Sequence, residues 1–469
     1  AGASVAPAED VRLETIYYDT PDFRLARWGC SLRLREGEGW TLKLPAASDG
    51  AALSRRELTF PGEGRRPPEA AVALVLAYVR RSPLQPVATL STVRHRIRLT
   101  DAAGAPLAEV VDDEVAVVEG LRVASRFRQV EVELAPASPE DLLDPLVARL
   151  RAAGAGADHA PEKHLLALGR RAMEPPEVTL PEISASSTAA ELVKRTIAES
   201  VVSLFRHDPG VRLGDDPEDV HRARVATRRL RSQLRTLRPL LRREWSDPLR
   251  DELRWLAAGL GDVRDKQVMR QRLDARVPNL SPEDVGALRA LSSELAAESE
   301  ESRSRLVLDM RSDRYIDLLD RLVEAARTPA LLPEADQPAA TIMPSLVRQD
   351  WKRLRKAVRR LPDTPEDASL HRVRILAKRT RYAAEAAAPV SGKRATAFAE
   401  AAADLQTVLG DHQDTVSTRR WLREAAQGRV AFVAGQLYVM EADDARTARG
   451  LWVKKWKLLD RKRLRRWMI

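Results

Sequence analysis

Hydrophobic and polar residues alternate through much of the first third of the chain, and this period of two predicts β-strands with one apolar and one polar face. The alternation is clearest at 31–35, 40–44, 54–60, 93–99 and 129–134. From residue 189 onward the sequence is rich in Ala, Leu, Arg and Glu and has helical periodicity. The pattern predicts a multi-domain α+β protein with an antiparallel β domain at 1–170, a linker at 171–187 and an all-α domain at 188–469.

The helical region contains an internal duplication. The segment HRARVATRRLR at 221–231 recurs as HRVRILAKRTR at 371–381, and LGDVRD at 260–265 recurs as LGDHQD at 409–414. Because the two motifs recur in the same order, we expect two helical halves of similar topology, packed about a pseudo-two-fold axis.

Each copy of the longer motif predicts a helix whose cations form a row separate from its apolar face. At about 100° per residue, positions three and four apart lie on the same side of a helix. The row of the first copy contains His221, Arg224, Arg228, Arg231 and Arg235, and the row of the second contains His371, Arg374, Lys378 and Arg381. We expect the two rows to face a common anion-binding space.

A solvated helix surface usually mixes charges of both signs, whereas the first row carries only one sign. A polyanion along the row would relieve the repulsion, and the row is about 21 Å long at a rise of 1.5 Å per residue. For His221 and His371 we favour phosphate contact or local hydrogen bonding over metal ligation or a phosphohistidine. For the carboxylates of the shorter motif, Asp262, Asp265, Asp411 and Asp414, we favour holding neighbouring arginines over binding a metal.

The amino-acid composition limits the classes of ligand and the cellular locations that we expect. The 469 residues include 78 Lys and Arg against 68 Asp and Glu, a net charge of +10 that favours an anionic ligand. The single cysteine, Cys30, excludes an intramolecular disulfide framework and suits a cytoplasmic location. No apolar run is long enough to predict a membrane span. Aromatic residues make up 4% of the chain, which argues against nucleic acid bound by base stacking.

The β region resembles a known family. YYDTPDFRLARWGCSLRLREGEGWTLKLP at 17–45, with SRRE, LAEVVDDEV and VEVEL after it, is similar to the CYTH domain of the triphosphate tunnel metalloenzymes. The resemblance implies an antiparallel barrel whose tunnel binds a triphosphate and Mg²⁺ or Mn²⁺ for hydrolysis by water. It implies phosphate contacts from Arg33, Arg35, Lys43, Arg56, Arg94 and Lys163, and metal ligation by Glu109, Asp113, Glu131 and Glu133.

Two features depart from that family. Its opening Glu-x-Glu-x-Lys strand has no counterpart in residues 1–16, and Ser91 stands where an arginine of the tunnel wall is expected. We therefore expect a barrel short of its opening strand, able to bind phosphate but impaired in catalysis. Because the chain begins at Ala1 rather than a methionine, a clipped form of a longer protein is favoured over a degenerate domain.

The helical region resembles the CHAD domain, the conserved-histidine α-helical domain. The resemblance is carried by VHRARVATRRLRSQLRTLRP, ELRWLAAGLGDVRDKQV, LHRVRILAKRTRYAAE and DLQTVLGDHQDTV. It implies that inorganic polyphosphate binds, without a cofactor, in a basic groove or a central cavity formed between the two halves. It also adds polyphosphate granules as an expected location. A polyphosphate-binding protein is thus the leading hypothesis, and a metal-dependent tripolyphosphatase acting in the tunnel is the alternative. For the basic, tryptophan-containing segment 449–469 we favour a packed last helix over a membrane-surface helix.

Overall fold

The computed structural model describes residues 4–7, 10–45, 55–62, 64–136, 138–156 and 161–468. The chain divides into two compact units, Ala1–Glu177 and Val178–Ile469. The boundary between them falls inside the segment 171–187, where the sequence loses its periodicity.

The first unit is built on an antiparallel sheet of eight strands within the described residues. In chain order they are β1 Ser4–Pro7, β2 Val11–Asp19, β3 Ser31–Arg35, β4 Gly39–Pro45, β5 Arg55–Phe60, β6 Gln85–Thr100, β7 Pro106–Glu119 and β8 Arg122–Leu134. In space they follow the order β5-β4-β3-β2-β6-β7-β8, and β1 lies beside the end of β6. The predicted antiparallel sheet is confirmed.

The sheet is open over the part of the chain that the structure describes. β5 and β8 are its two edges, and they do not pair with each other. β6 is long enough for two partners, since 85–94 pair with β2 and 97–100 pair with β1. The tunnel interior implied by the family resemblance is therefore one face of an incomplete barrel rather than an enclosed channel.

One face of the sheet is mostly apolar. Trp40 and Leu42 of β4 are almost fully buried, and Tyr18 packs against Trp40 with ring centroids 4.7 Å apart. Three short helices belong to this unit as well, α1 Arg24–Arg27, α2 Glu69–Leu74 and α3 Leu76–Val79, and Trp28 after α1 packs against Tyr78 of α3 at 5.6 Å. Period-two alternation thus gives each of these strands a buried side.

The other face divides into an apolar and a charged part. Its apolar part is a cluster of Tyr17, Leu90, Val115 and Val117. After α4 Leu143–Ala152, the helix α5 Lys163–Leu168 covers this cluster, and the His164 ring stacks on Tyr17 at 5.2 Å. The position of α5 also brings Lys163 onto the charged part of the face.

The second unit is helical. Its helices are α6 Ala189–Leu213, α7 Pro217–Thr236, α8 Arg243–Asp274, α9 Val285–Asp309, α10 Asp313–Arg327, α11 Ala339–Arg359, α12 Asp367–Ser391, α13 Lys393–Ala425, α14 Ala431–Leu459 and α15 Lys462–Arg465. The two copies of the longer motif lie on α7 and α12, and those of the shorter motif lie on α8 and α13. The duplication in sequence therefore corresponds to equivalent helices.

Local signals start the first helices of this unit. Thr188 and Glu191 form a reciprocal capping box at the start of α6. Asp216 accepts a hydrogen bond from the Glu218 amide, and Pro217 occupies the first turn of α7. The predicted apolar side of α7 is buried through Ala223, Ala226, Leu230, Leu234 and Leu237. On α12, Val373 and Ala383 are buried, but Leu376 is only partly buried.

The last helices pack into the unit through their tryptophans. Trp452 is buried, Trp456 stacks on Trp351 at 5.3 Å, and Trp467 lies edge-on to Phe398 at 6.1 Å. No helix in the described part of the chain combines the length and the apolarity needed to cross a bilayer. The packing of these rings agrees with a last helix that belongs to the domain.

Candidate functional site

The cations of α7 form the centre of the site. We call Arg224, Arg228, Arg231 and Arg235 the arginine row; they lie on the side of α7 away from its buried alanines and leucines. Arg228 and Arg231 are half-buried, and Arg235 is exposed. Their spacing on one side of the helix places these charges close together, and partial burial removes them from water. Both effects raise the free energy of cations that have no counter-ion.

α7 and α12 contact each other, and the contact brings cations of the two copies together. Burial, and then the charges of Arg224 and Arg374, lower the pKa of Arg228 to about 10. Burial, and then Arg235, lower the pKa of Arg379 to about 10. Arg374 of the second row therefore lies near Arg228 of the first, and Arg379, which is outside the row predicted for α12, lies near Arg235.

Most of these cations lack a counter-ion. Among the described residues, no ion pair to a carboxylate is formed by Arg228, Arg231, Arg235, Arg374 and Arg379. Burial, and then Arg254 and Arg250, lower the pKa of Arg231. Uncompensated positive charge of this density attracts an anion.

Each copy of the shorter motif lies next to one arginine of the longer motif, Arg224 in the first copy and Arg374 in the second. Arg224 pairs with Asp265 at 2.8 Å, as predicted for these carboxylates. A Cβ added at Gly261 would touch the Arg224 guanidinium at 3.9 Å, and one at Gly410 would touch Arg374 at 3.7 Å. The guanidinium of each copy therefore lies beside the glycine of the shorter motif, at ordinary van der Waals distance from the place a Cβ would take.

The remaining carboxylates of the shorter motif behave differently. Asp262 accepts from Lys266 at 3.0 Å and from Ser302 at 2.5 Å, so it does not hold the row. Burial raises the pKa of Asp414, and Arg374 and Arg272 lower it only in part. Asp411 shows the same direction, because burial raises its pKa too. We call Arg228, Arg231, Arg235, Arg374 and Arg379 the cation cluster. On its Arg374 side, Asp411 and Asp414 therefore lie close to arginines without forming ion pairs with them in the described part of the chain.

The two histidines occupy equivalent positions with different partners. Burial, and then the charge of Arg264, lower the pKa of His221. His371 shares a 2.7 Å hydrogen bond with Gln413, which stands in the second copy where Arg264 stands in the first. Both lie beside the cation cluster, in keeping with phosphate contact or local hydrogen bonding.

The second copy is partly neutralised. Arg381 donates to Glu385 at 2.6 Å, and Arg229 of α7 also pairs with Glu385. Lys378 lies half-buried between Arg374 and Arg381 on α12. The two arginines of the predicted second row therefore differ: Arg381 has an ion pair with Glu385, whereas Arg374 forms none with any residue that the structure describes.

Sequence periodicity missed several cations in or beside the cation cluster. Arg379 lies off the predicted row, and Arg250 and Arg254 of α8 and Arg353 of α11 come from other helices. Only Arg379 had a signal in the sequence, because it is the repeat counterpart of Arg229. The others reach the row through helix packing, which no spacing along the chain encodes.

The charged sheet face comprises the charged residues that share the side of Tyr17. The strand register puts Arg33, Arg35, Lys43 and Arg94 on this face. Arg56 is opposite Leu44 and belongs to the other face, whereas its neighbour Glu57 is opposite Lys43. Ser91, opposite Glu14, also belongs to the other face. Five of the six predicted tunnel cations are therefore brought to one face, since Lys163 joins from α5.

The cations of the charged sheet face have carboxylate partners. Lys43 lies 2.9 Å and Arg33 3.5 Å from Glu57, and Arg35 pairs with Glu38 at 2.8 Å. Arg94 donates twice to Asp113, at 2.9 and 2.8 Å. Hence this face is electrically balanced by its own residues.

The four predicted metal ligands share this face but hold cations. The fully buried Asp113 accepts from Arg94 and lies 2.8 Å from Lys163, which also reaches Glu131 at 2.6 Å. Glu109 pairs with Arg96 at 2.8 Å, and the exposed Glu133 lies opposite Glu109. The described residues include no group of three or more potential ligands that could hold a metal ion. In this arrangement the carboxylates do not fit Mg²⁺ or Mn²⁺, and the metal site stays a prediction.

Comparisons with known proteins agree with both resemblances. Residues 2–151 match the CYTH domain and residues 195–423 match the CHAD domain. A protein of Mycobacterium tuberculosis strain H37Rv, described as Uncharacterized protein Rv2226, is 34% identical over 471 residues, which cover 93% of this chain and 88% of the relative. The protein MT2285 of strain CDC 1551 has the same identity and coverage.

Two solved structures are similar in part. PptA from Streptomyces chartreusis is 23% identical, with a TM-score of 0.48, over 58% of this chain and 100% of that chain. The CHAD domain from the plant Ricinus communis is 27% identical, with a TM-score of 0.47, over 62% of this chain and 96% of that chain.

Proposed function

This chain belongs to the proteins that join a CYTH domain to a CHAD domain, and from that premise we propose that it binds inorganic polyphosphate through its helical unit. The observation that carries the proposal is a set of five neighbouring arginines on α7 and α12 that form no ion pair with a carboxylate in the part of the chain that the structure describes. Cytoplasmic polyphosphate granules would be the location of such a protein.

The chemistry of the cluster suits a linear chain of phosphates. Guanidinium groups donate two hydrogen bonds in a fork that matches adjacent phosphate oxygens. The arginine row extends over several turns of α7, so consecutive phosphates meet consecutive arginines. Each bound phosphate would also give an ion-pair partner to Arg228, Arg231 or Arg235, which form no such pair with the residues that the structure describes.

Charge reversal of one cation from each copy tests the proposal. The variant Arg228→Glu with Arg374→Glu should lose at least about a hundredfold in affinity for long-chain polyphosphate, since charge-assisted contacts are lost and repulsion is added. Binding is measured by titration calorimetry at two salt concentrations. In the wild type, affinity should fall steeply with salt.

A matched control uses the same helices. Arg222→Glu with Arg372→Glu changes the net charge equally at two exposed arginines outside the rows. This variant should retain binding within about threefold, because exposed charges away from a site act only through the screened long-range field. Equal losses in both variants would refute a localised site, and DNA that displaced polyphosphate at equal phosphate concentration would favour nucleic acid as the partner.

Hydrolysis of tripolyphosphate on the charged sheet face is less well supported. The predicted ligands Asp113 and Glu131 are already bridged by Lys163, and Glu109 pairs with Arg96. Phosphate release from tripolyphosphate with added Mg²⁺ or Mn²⁺ tests this alternative directly. We expect no release above a variant that carries Asp113→Asn.

A further inference from the structure

α7 and α12 each contribute one arginine to the row of the other helix. Arg229 of α7 reaches Glu385 and Arg381 of α12, and Arg379 of α12 lies near Arg231 and Arg235 of α7. In the repeat, Arg229 corresponds to Arg379, Arg381 to Arg231, and Glu385 to Arg235. The two groups of three residues are therefore equivalent places in the duplicated fold.

The second-copy subsite, Arg229, Arg381 and Glu385, already contains an anion. Arg381 donates to the Glu385 carboxylate at 2.6 Å, and Arg229 pairs with the same carboxylate. Both guanidinium groups lie over the Tyr382 ring, each 5.6 Å from its centroid. Two guanidiniums on one carboxylate are the arrangement that binds a phosphoryl group equally well.

The first-copy subsite, Arg231, Arg235 and Arg379, has the same framework, but no carboxylate of the described residues forms an ion pair with its arginines. An arginine replaces the glutamate, and Ser232 replaces the tyrosine. The Ser232 hydroxyl oxygen is buried and has no hydrogen-bond partner in the described part of the chain. A buried hydroxyl without a partner is costly, and a phosphoryl oxygen between the arginines would accept from it.

The carboxylates around the first-copy subsite have other partners. Asp350 pairs with Arg353 at 2.8 Å and accepts from Thr236 at 2.7 Å. Asp247 lies 3.1 Å from Arg250, and Asp251 lies 2.9 Å from Arg254. Asp350 also acts on Arg235 and Arg379 at longer range: burial lowers the pKa of both, and its charge raises them in part. None of these acids forms an ion pair with the three arginines of the subsite, which have no such pair in the described part of the chain.

We propose that the first-copy subsite binds a phosphoryl group of the polyphosphate chain and that Glu385 keeps the equivalent second-copy subsite closed. The proposal rests on the proposed function and adds that the polyanion lies off-centre, toward α7, despite the duplication of the fold. Glu385 is accordingly a specificity-determining residue, because it decides on which side of the pseudo-symmetric pair the chain is held.

The first test compares two double variants that remove the same charge. Arg231→Gln with Arg379→Gln should weaken binding of long-chain polyphosphate about a hundredfold, roughly tenfold for each lost guanidinium contact. Arg229→Gln with Arg381→Gln should change it less than about threefold. Circular dichroism and urea unfolding of the full chain check that both variants are folded. Equal losses in the two variants would overturn the asymmetry.

The second test opens the closed subsite without removing a cation. Glu385→Gln keeps the side-chain shape and releases Arg229 and Arg381, so affinity for long-chain polyphosphate should rise about tenfold and the salt dependence should steepen by roughly one to two charges. Unchanged affinity and slope would overturn the role of Glu385. In contrast, a wild-type chain that binds long polyphosphate no better than orthophosphate would overturn the proposed function itself. In that case orthophosphate binding tests the first-copy subsite: loss of binding in Arg231→Gln with Arg379→Gln would support the subsite, and unchanged binding would overturn it.

Discussion

The charged sheet face and the arginine row both gather cations, but the sheet face pairs its predicted cations with carboxylates, whereas in the described part of the chain only Arg224 of the row has such a pair. There, Arg94 holds the buried Asp113 with two hydrogen bonds, whereas on α7 Arg228 faces Arg374 and has no counter-ion among the described residues. The comparison teaches that folding alone compensates the first group of charges. Folding leaves most of the second group without ion pairs among the described residues, and this is the group that we propose binds a polyanion.

The largest expected difference lies in binding. Neutralising two cations of the arginine row, Arg228→Gln with Arg235→Gln, should weaken long-chain polyphosphate binding about a hundredfold and reduce the salt slope by about 1.5. Neutralising two on the charged sheet face, Lys43→Gln with Arg94→Gln, should change binding less than about threefold, because those charges are already paired. Calorimetric titration of both variants checks the contrast, and equal losses would mean that internal pairing does not decide which surface binds.

Removal of a paired carboxylate should destabilise the sheet. Asp113→Ala leaves Arg94 and Lys163 without their partner, at a cost of about 2–4 kcal/mol, because both cations are largely buried. The matched control is Asp112→Ala, which removes the ion pair to the exposed Arg128 and should cost less than about 1 kcal/mol. Hydrogen exchange of β6 and β7 in the full chain measures both. The interpretation fails if the two variants exchange alike.

Removal of a cation that has no ion pair should stabilise the protein instead of destabilising it. Arg228→Met deletes a half-buried charge that has no carboxylate ion pair among the described residues, so α7 and α12 should become more stable by about 1 kcal/mol. Urea unfolding followed by hydrogen exchange of these helices tests this, with Arg222→Met as an exposed control. Destabilisation would show that Arg228 has a stabilising role we have not identified.

The smallest expected effect concerns pH. A bound polyanion should raise the low pKa of His221 and the already high pKa of Asp414, so both groups take up protons on binding. Because the pKa is higher in the complex, affinity should increase a few-fold as pH falls from about 8 to 6 and level off below the pKa of free His221. Calorimetry in buffers of different ionisation enthalpy measures the uptake. His221→Asn with Asp414→Asn should abolish it, and proton release in the wild type would contradict the assignment.

The sequence predicted the elements of both units and much of each site. Period-two alternation located the strands, the repeat located α7 and α12 as equivalent helices, and the family resemblances are confirmed by the CYTH and CHAD matches. The predicted link between the shorter motif and the row is present as the Asp265–Arg224 pair. The strands and helices are local features, which is why spacing along the chain predicts them, whereas the Asp265–Arg224 pair joins two helices and followed from the recurrence of both motifs.

The placement of Arg56 shows where this reasoning stops. Its residue type and its place on a strand made Arg56 a candidate phosphate contact. However, the pairing of β4 with β5 places it on the opposite face of the sheet and brings Glu57 next to Lys43 instead. A shift of one residue in register exchanges the faces of a strand, and residue types do not fix that register by themselves. Whether the barrel closes likewise depends on whether the edge strands β5 and β8 pair, which the residue types do not determine.

By itself, the sequence determined that two helices carry basic rows, since helical periodicity is a property of consecutive residues. Only the tertiary structure decided which of those cations are free. Glu385 neutralises Arg229 and Arg381 across the helix contact, while Arg379 joins Arg231 on the other side. Charge compensation depends on distances of a few ångströms between residues far apart in the chain, and these arise only when the helices pack.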